Sequence, residues 1–163
     1  KPVPGRLEVI RGNTSVTGIV DYAHTPDALM KVTDTINKIL KGSGLLITVV
    51  GAGGDRDRSK RPLMASICAE KSSIVILTSD NPRSEDPEKI IDEMEAGLTT
   101  VLKEKVIRIA NRREAIKAAV MMANPGDVVL VAGKGHETYQ EIKGVRHHFD
   151  DREELAKALL LKM

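Results

Sequence analysis

The chain contains 163 residues, of which 41% are hydrophobic, a length and composition that suit one compact domain with an ordinary core. Its 25 Lys and Arg residues nearly balance 23 Asp and Glu residues, and it has one Phe, two Tyr and no Trp. It therefore lacks both the basic surface and the aromatic platforms of nucleic-acid-binding proteins, and we expect no nucleic-acid partner.

Two features bear on the location of the protein. The longest apolar runs, at 45–50 and 128–132, are far shorter than the ~20 residues that a membrane span needs, so we expect no membrane partner. Cys68 is the single cysteine, which excludes a disulfide within the chain and suits a reducing, cytoplasmic setting.

The first residues have neither an initiator Met nor the apolar core of a signal peptide, so we expect a piece of a longer protein.

Strands and helices are predicted to alternate along most of the chain. Thr25 is the expected N-cap of a first helix that begins at Pro26, with an inward face formed by Leu29, Val32, Ile36, Ile39 and Leu40. Later helices are expected at about 60–71, from Asp86-Pro87 onward, and from Asn111 to about 123. The runs between them predict strands at 16–20, 45–50, 73–78, 105–109 and 127–132.

The end of the chain breaks this alternation. Two short strands around Lys143-Gly144 predict a hairpin at 138–149, and Asp150 is expected to cap a final helix. The complete pattern predicts an α/β fold with a mostly parallel sheet, helices on both faces and a C-terminal hairpin.

Polar residues follow four of the predicted strands. In open α/β sheets ligands bind beyond the carboxyl ends of the strands, so we expect these segments to form one site. They are residues 21–26 (DYAHTP), 51–58 (GAGGDRDR), 79–83 (SDNPR) and 133–137 (GKGHE).

The glycine-rich segment at 51–54 fits neither of the two common phosphate-binding motifs. Arg56 stands where a dinucleotide fingerprint needs its last glycine, and no P-loop occurs in the chain. We expect the glycines to make a sharp turn from which Arg56, Arg58, Lys60 and Arg61 project into the crevice. Cations oppose the dipole at a helix N-terminus, so helix stability alone does not explain them.

The charges at these strand ends suit a zwitterionic ligand. Arg56 and Arg83 can bind a carboxylate in bidentate fashion, whereas Asp80 and Glu137 can accept from an ammonium group. Metal binding is not expected, because the neighbours His136 and Glu137 point apart without a third ligand. The residues alone therefore predict a small amino-acid-like ligand.

Taken together, these motifs resemble the C-terminal domain of the Mur ligase family, and in particular the members that add meso-diaminopimelate to UDP-N-acetylmuramoyl-L-alanyl-D-glutamate. The resemblance runs from Val3 to the last helix and implies a Rossmann-like domain of a bacterial, cytoplasmic ligase of peptidoglycan synthesis. The family uses ATP and Mg²⁺ to form an acyl phosphate, which the amine of diaminopimelate attacks.

The resemblance also implies roles for individual residues. It assigns meso-diaminopimelate to Arg56, Asp80, Asn81, Arg83, Gly133 and Glu137, with Asp80 supporting the turn. It assigns the nucleotide to Arg6, Asp21 and His24. No catalytic residue and no metal ligand is implied within this chain.

The resemblance further implies partner domains. Residues 1–12 are expected to be a linker and first strand from the preceding domain, and 13–163 the amino-acid-binding domain. An amino-terminal domain for the UDP-sugar and a central P-loop ATPase domain would lie in the same polypeptide and hold most ligands of ATP and Mg²⁺. We therefore expect the isolated chain to be inactive.

Two other functions are compatible with the residues. The chain could be a stand-alone amino-acid-binding module without catalysis, which the absence of a P-loop allows. It could also be the matching domain of another amide ligase, such as a folylpolyglutamate synthetase or a different Mur ligase. The DNPR turn and the GKGHE segment argue against this last alternative.

Overall fold

The computed structural model describes residues 3–162. Residues 1 and 2 of the expected linker and residue 163 of the expected domain lie outside this range. The strands are β1 (Glu8–Arg11), β2 (Thr17–Asp21), β3 (Leu46–Ala52), β4 (Ile74–Ser79), β5 (Val106–Arg108), β6 (Val128–Ala132), β7 (Tyr139–Ile142) and β8 (Val145–His148). The helices are α1 (Pro26–Leu40), α2 (Lys60–Lys71), α3 (Pro87–Glu95), α4 (Thr100–Lys103), α5 (Arg112–Met122) and α6 (Asp151–Leu161).

Six strands form one sheet in the order β1-β2-β6-β3-β4-β5. Strands β2 to β6 are parallel, whereas β1 is an antiparallel edge strand, and β7 and β8 form a separate antiparallel hairpin. The predicted α/β class, the mostly parallel sheet and the C-terminal hairpin are confirmed.

Side-chain caps begin the helices where the sequence predicted them. The Thr25 hydroxyl accepts from Ala28 N at 3.2 Å, and the side chain of Asn111 accepts from Glu114 N at 3.0 Å. The carboxylates of Asp86 and Asp150 do the same at the starts of α3 and α6. Each cap satisfies one of the backbone N–H groups that a helix start leaves free.

The core lies on both faces of the sheet. Helices α1, α2 and α3 cover one face, and α5 and α6 cover the other. Cys68 is fully buried, and its pKa is raised to about 12 by this burial, as expected of an inert apolar side chain. The expected inward position of Ile39 is wrong, because this side chain is 71% exposed at the edge of the apolar stripe that the other four residues form.

Two short elements were not predicted as parts of this fold. Helix α4 is a single turn between α3 and β5. Strand β1 pairs with β2 from Glu8 opposite Val20 to Arg11 opposite Thr17, so it belongs to the main sheet. The assignment of residues 1–12 to a linker with a preceding domain stays a prediction.

The topology brings the polar segments to one edge of the sheet. Strands β2, β6, β3 and β4 are consecutive neighbours, and the four motifs follow their carboxyl ends. No helix within residues 3–162 is long and apolar enough to cross a membrane.

Candidate functional site

A cleft of about 450 Å³ lies beyond the carboxyl ends of these four strands. All six residues that the sequence analysis assigned to amino-acid binding line it, and so does His24 from the expected nucleotide set. The other lining residues are Tyr22, Thr25, Gly51, Ala52, Gly53, Asp57, Lys60, Arg61, Met64 and Tyr139. Arg6 and Asp21 do not line this cleft.

The loop after β3 and the DNPR turn are joined into one wall of the cleft. Gly54 N donates to Asn81 O at 2.7 Å, and the Ser84 hydroxyl donates to Asp55 Oδ1 at 2.5 Å. A Cβ atom at Gly54 would collide with the Pro82 carbonyl, so only glycine allows this close approach. The position of Asn81 is thereby fixed relative to the glycine-rich turn.

Arg61 stabilises this wall, and its guanidinium is already bonded to other groups of the protein. Its side chain is 1% exposed, and its guanidinium donates to Gly53 O and to both oxygens of Glu85. The hydrogen bonds from Arg61 lower the pKa of Glu85 to about 2. Arg58 pairs with Glu93 and does not line the cleft, so the expectation that all four cations project into the crevice is wrong for Arg58. Arg61 lines the cleft, but its guanidinium is already paired with Glu85.

Arg83 is held at the tip of the DNPR turn in the left-handed region, with φ of 52°. Its backbone pairs with β7, because Arg83 N donates to Glu141 O and Lys143 N donates to Arg83 O. Its Nη1 donates to Gly54 O at 2.8 Å, and its Nε lies 3.6 Å from Glu141 Oε1. The turn, the hairpin and the glycine-rich loop therefore determine the position of this guanidinium together.

The sequence analysis missed Lys134, which is the central residue of the site. Its fully buried ammonium group lies 2.7 Å from Asn81 Oδ1, 2.9 Å from Tyr139 O and 3.2 Å from Asp80 Oδ1. Burial lowers the pKa of Lys134. The ammonium group nevertheless has three acceptors for its three N–H groups, which indicates that the side chain is charged. The signal was present in the segment GKGHE, where a lysine stands between two glycines.

Lys134 also links the groups that are expected to contact a ligand. Glu137 Oε1 lies 3.7 Å from the lysine Nζ and 3.5 Å from Asn81 Nδ2. Gly133 has φ of 122°, and a Cβ there would lie 2.9 Å from Asp80 Oδ2. The role of Asp80 as support of the turn stays a prediction.

The side chain of Arg56 is less constrained by hydrogen bonds than those of Arg61 and Arg83. Among residues 3–162 its one side-chain hydrogen bond goes to the carbonyl of the neighbouring Asp55, at 3.0 Å. The side chain is exposed and lines the cleft. It can turn toward a carboxylate without breaking an ion pair.

Of the expected nucleotide residues only His24 lines the cleft, and Asp21 contacts the segments that carry the other two. Asp21 Oδ1 accepts from Leu7 N at 2.8 Å, and Oδ2 accepts from Ala23 N at 2.9 Å. The carboxylate thus ties the segment that carries Arg6 to the turn that carries His24, and both of its oxygens already have a partner. Arg6 and His24 are exposed.

The side chains of the described residues offer no set of ligands for a resident metal ion. Within residues 3–162 no group of three His, Cys, Asp or Glu side chains is arranged to hold one. Arg6 and His24 could contact a nucleotide from one side, but the chain has no phosphate-binding loop.

Comparisons with known proteins show which proteins this chain is similar to. A protein from Bacteroides fragilis named UDP-N-acetylmuramoyl-L-alanyl-D-glutamate--2,6-diaminopimelate ligase is 58% identical over 160 residues, which are 98% of this chain and 33% of that protein. A solved structure of a ligase with the same name is 49% identical with a TM-score of 0.86, and the match covers 98% of this chain and 32% of that one. The chain thus spans about one third of the length of these relatives.

A more distant comparison concerns the fold alone. The folylpolyglutamate synthase of Thermotoga maritima is 22% identical with a TM-score of 0.58, and the match covers 81% of this chain and 28% of that one.

The family model described as "Mur ligase, glutamate ligase domain" matches residues 5–135, which is well over half of the chain. The chain therefore belongs to the Mur ligase family, in which it is a glutamate ligase domain.

Proposed function

We propose that the chain is the C-terminal domain of an ATP-dependent ligase that joins meso-diaminopimelate to UDP-N-acetylmuramoyl-L-alanyl-D-glutamate, and that it supplies the diaminopimelate site. The observation that carries this proposal is the convergence of Arg56, Asn81, Arg83, Gly133 and Glu137 on one cleft. The names of the relatives at 58% and 49% identity support the same substrate.

The charges of the cleft match the chemistry of this amino acid. Meso-diaminopimelate carries an ammonium group and a carboxylate at each end. Arg83, held by Gly54 O, is proposed to bind the distal carboxylate, and Glu137 with the Gly133 carbonyl to accept from the distal ammonium group. Arg56, which is free to move, is proposed to bind the carboxylate beside the reacting amine.

The role of this chain in the reaction is to orient the amine. Fixing a nucleophile relative to an activated carboxylate accelerates amide formation, because the entropy cost of bringing them together is met during binding. The acceptor carboxylate would be activated by the other domains of the polypeptide, which we propose to hold ATP, Mg²⁺ and the UDP-sugar. A cytoplasmic location belongs to the same proposal.

The test is an amide-formation assay with the full-length protein, ATP, Mg²⁺ and UDP-N-acetylmuramoyl-L-alanyl-D-glutamate. We expect product formation with meso-diaminopimelate and little with L-lysine, which lacks the distal carboxylate. Efficient use of L-lysine with no use of meso-diaminopimelate would contradict the proposal. A full-length protein that binds the amino acid without consuming ATP would instead be a binding module.

A further inference from the structure

A buried ion pair lies directly behind the cleft. Arg112 and Asp151, the first residues of α5 and α6, have fully buried side chains. Arg112 Nε donates to Asp151 Oδ1 at 2.8 Å, and its Nη2 donates to Oδ2 at 2.7 Å. None of the roles assigned above uses this pair.

Arg112 also binds the ends of two strands. Its Nη1 donates to Ser79 O at 2.9 Å, and its Nη2 donates to Ala132 O at 3.2 Å. These carbonyls belong to the peptide groups that lead into Asp80 and Gly133, the first residues of the two loops that line the cleft. A lysine could not make these four bonds, because its donors radiate from one atom whereas the guanidinium presents a planar fork.

The two strand ends are not neighbours in the sheet, since β3 lies between β4 and β6. Their loops nevertheless meet beyond the end of β3, because a Cβ at Gly133 would lie 2.9 Å from Asp80 Oδ2. Strands β4 and β6 each pair with β3, so the ladders fix the strands, whereas the spacing of the loops beyond them depends on side-chain contacts across β3. Arg112 is placed to make such a contact.

The stability of the fold alone does not account for this pair. A cation at a helix N-terminus opposes the helix dipole. A buried ion pair carries a desolvation cost, and replacing both partners by apolar residues of similar volume is often neutral or stabilising. Arg112 also donates hydrogen bonds to two carbonyls at the edge of the cleft, which an apolar side chain could not do.

We propose that Arg112, oriented by Asp151, is a positioning residue that holds the loops after β4 and β6 at the spacing that amino-acid binding requires. This inference rests on the proposed function. Lys134, in the loop after β6, then meets Asn81 and Asp80 of the loop after β4 at a fixed distance.

The test is the double substitution Arg112→Met with Asp151→Leu in the full-length protein. We expect a folded protein whose kcat/KM for meso-diaminopimelate falls about 10- to 100-fold, through a raised KM, because loops that bind the ligand are misplaced. The KM for ATP should stay within about twofold, as for a substitution remote from a site. Arg112→Lys, which keeps the charge but not the fork, should recover only part of the loss.

The matched control is Arg113→Met with Glu154→Leu. This neighbouring pair also joins α5 to α6, but neither residue binds a strand carbonyl. Its kcat/KM for meso-diaminopimelate should stay within about twofold of wild type. If the Arg112/Asp151 double variant folds and its kcat/KM for meso-diaminopimelate is also unchanged, the inference is wrong. If that variant does not fold, Asp151→Asn takes its place, and its kcat/KM relative to wild type is judged in the same way.

Hydrogen exchange separates this inference from the proposed function. Gly133 N donates to Asp21 O, and Gly54 N donates to Asn81 O. In the double variant both amides should exchange about tenfold faster while amides of β3 stay protected, because only the loops loosen. A wild type that rejects meso-diaminopimelate would refute the proposed function, whereas unchanged exchange in the double variant would refute the positioning role.

Discussion

Lys134 and Asn81 are 53 positions apart in the sequence, yet the lysine ammonium group lies 2.7 Å from the asparagine Oδ1. The same oxygen accepts from Glu141 N at 2.9 Å, so one side chain joins the DNPR turn, the GKGHE segment and the hairpin. The cleft is thus assembled around a buried cation that the ligand does not need to contact.

We predict that Lys134→Met destabilises the domain strongly. The substitution removes the charge that faces Asp80 and leaves Asn81 Oδ1 with one donor fewer. Breaking a buried ion pair by removing one partner costs about 3–5 kcal/mol. Urea unfolding measures the loss, with the exposed Lys157→Met as the control that should change by less than about 0.5 kcal/mol. Equal stability of the two variants would contradict the central role of Lys134.

The pair of Arg61 and Glu85 predicts a dependence of stability on pH. The pKa of Glu85 falls from 4.5 to about 2 on folding, mainly because Arg61 donates hydrogen bonds to it. A depressed carboxyl pKa stabilises the fold above the unfolded value, and this contribution is lost as the pH falls toward 2. Glu85→Gln should therefore cost about 2 kcal/mol at pH 7, allowing for partial solvent exposure, and less at pH 3.

The control for this measurement is Glu88→Gln. Glu88 also pairs with an arginine, Arg108, but its side chain is 61% exposed, so its substitution should cost less than about 1 kcal/mol at either pH. Unfolding of each protein by denaturant at pH 7 and pH 3 gives the comparison. A penalty for Glu85→Gln that grows as the pH falls would show that the sign is wrong.

The isolated chain should fold but neither hydrolyse ATP nor form the amide. Its described residues contain no metal-binding group, and the phosphate-binding loop is absent. Nucleotide affinity should also be weak, because Arg6 and His24 could contact only one side of the ligand. The measurements are ATP turnover with all substrates present and calorimetric titration with ATP. Robust turnover by the pure chain would contradict this prediction.

Asp21 offers a test of the expected nucleotide residues. Asp21→Ala frees Leu7 N and Ala23 N, which lie next to Arg6 and His24. Losing two hydrogen bonds of about 1 kcal/mol each should raise the KM for ATP roughly fivefold or more in the full-length protein. The KM for meso-diaminopimelate should rise less. Asp27→Ala, which removes only an exposed pair with Lys31, is the control. The opposite ranking of the two KM values would mean that the two sites are wrongly assigned.

Local signals explain why most of the fold was predictable. Caps such as Thr25 and Asn111 act within three residues of themselves, and the buried parallel strands are continuous apolar runs. Ile39 was wrongly predicted to face inward because helical spacing shows where the apolar stripe of a helix runs but not how wide its buried part is. Strand β1 was not joined to the sheet because four half-exposed residues carry little pattern of their own.

The residues of the cleft could be grouped from the sequence, but their contacts could not. Their common position at strand ends follows from the parallel sheet. Lys134 contacts Asn81, 53 positions away, and Arg61 contacts Glu85, 24 positions away, and no local pattern reveals such partners. The hydrogen bonds that Asp21 accepts from Leu7 N and Ala23 N were not visible in the sequence either.

Arg83 carries the central claim, because selection of meso-diaminopimelate over L-lysine needs a cation for the distal carboxylate. Gly54 O and Glu141 hold its guanidinium at the wall of the cleft. Losing this contact should cost on the order of 2–5 kcal/mol, a decrease of roughly 30-fold or more in kcat/KM. Arg83→Lys should rescue only in part, since a point charge cannot replace a planar fork.

The most direct measurement is the KM for meso-diaminopimelate and for ATP in the full-length protein with Arg83 or with Arg83→Ala. The account predicts that the substitution raises the KM for meso-diaminopimelate roughly 30-fold or more and leaves that for ATP nearly unchanged. A KM for meso-diaminopimelate within about threefold of wild type, equivalent to only ~0.7 kcal/mol, would contradict the role of Arg83 at the distal carboxylate.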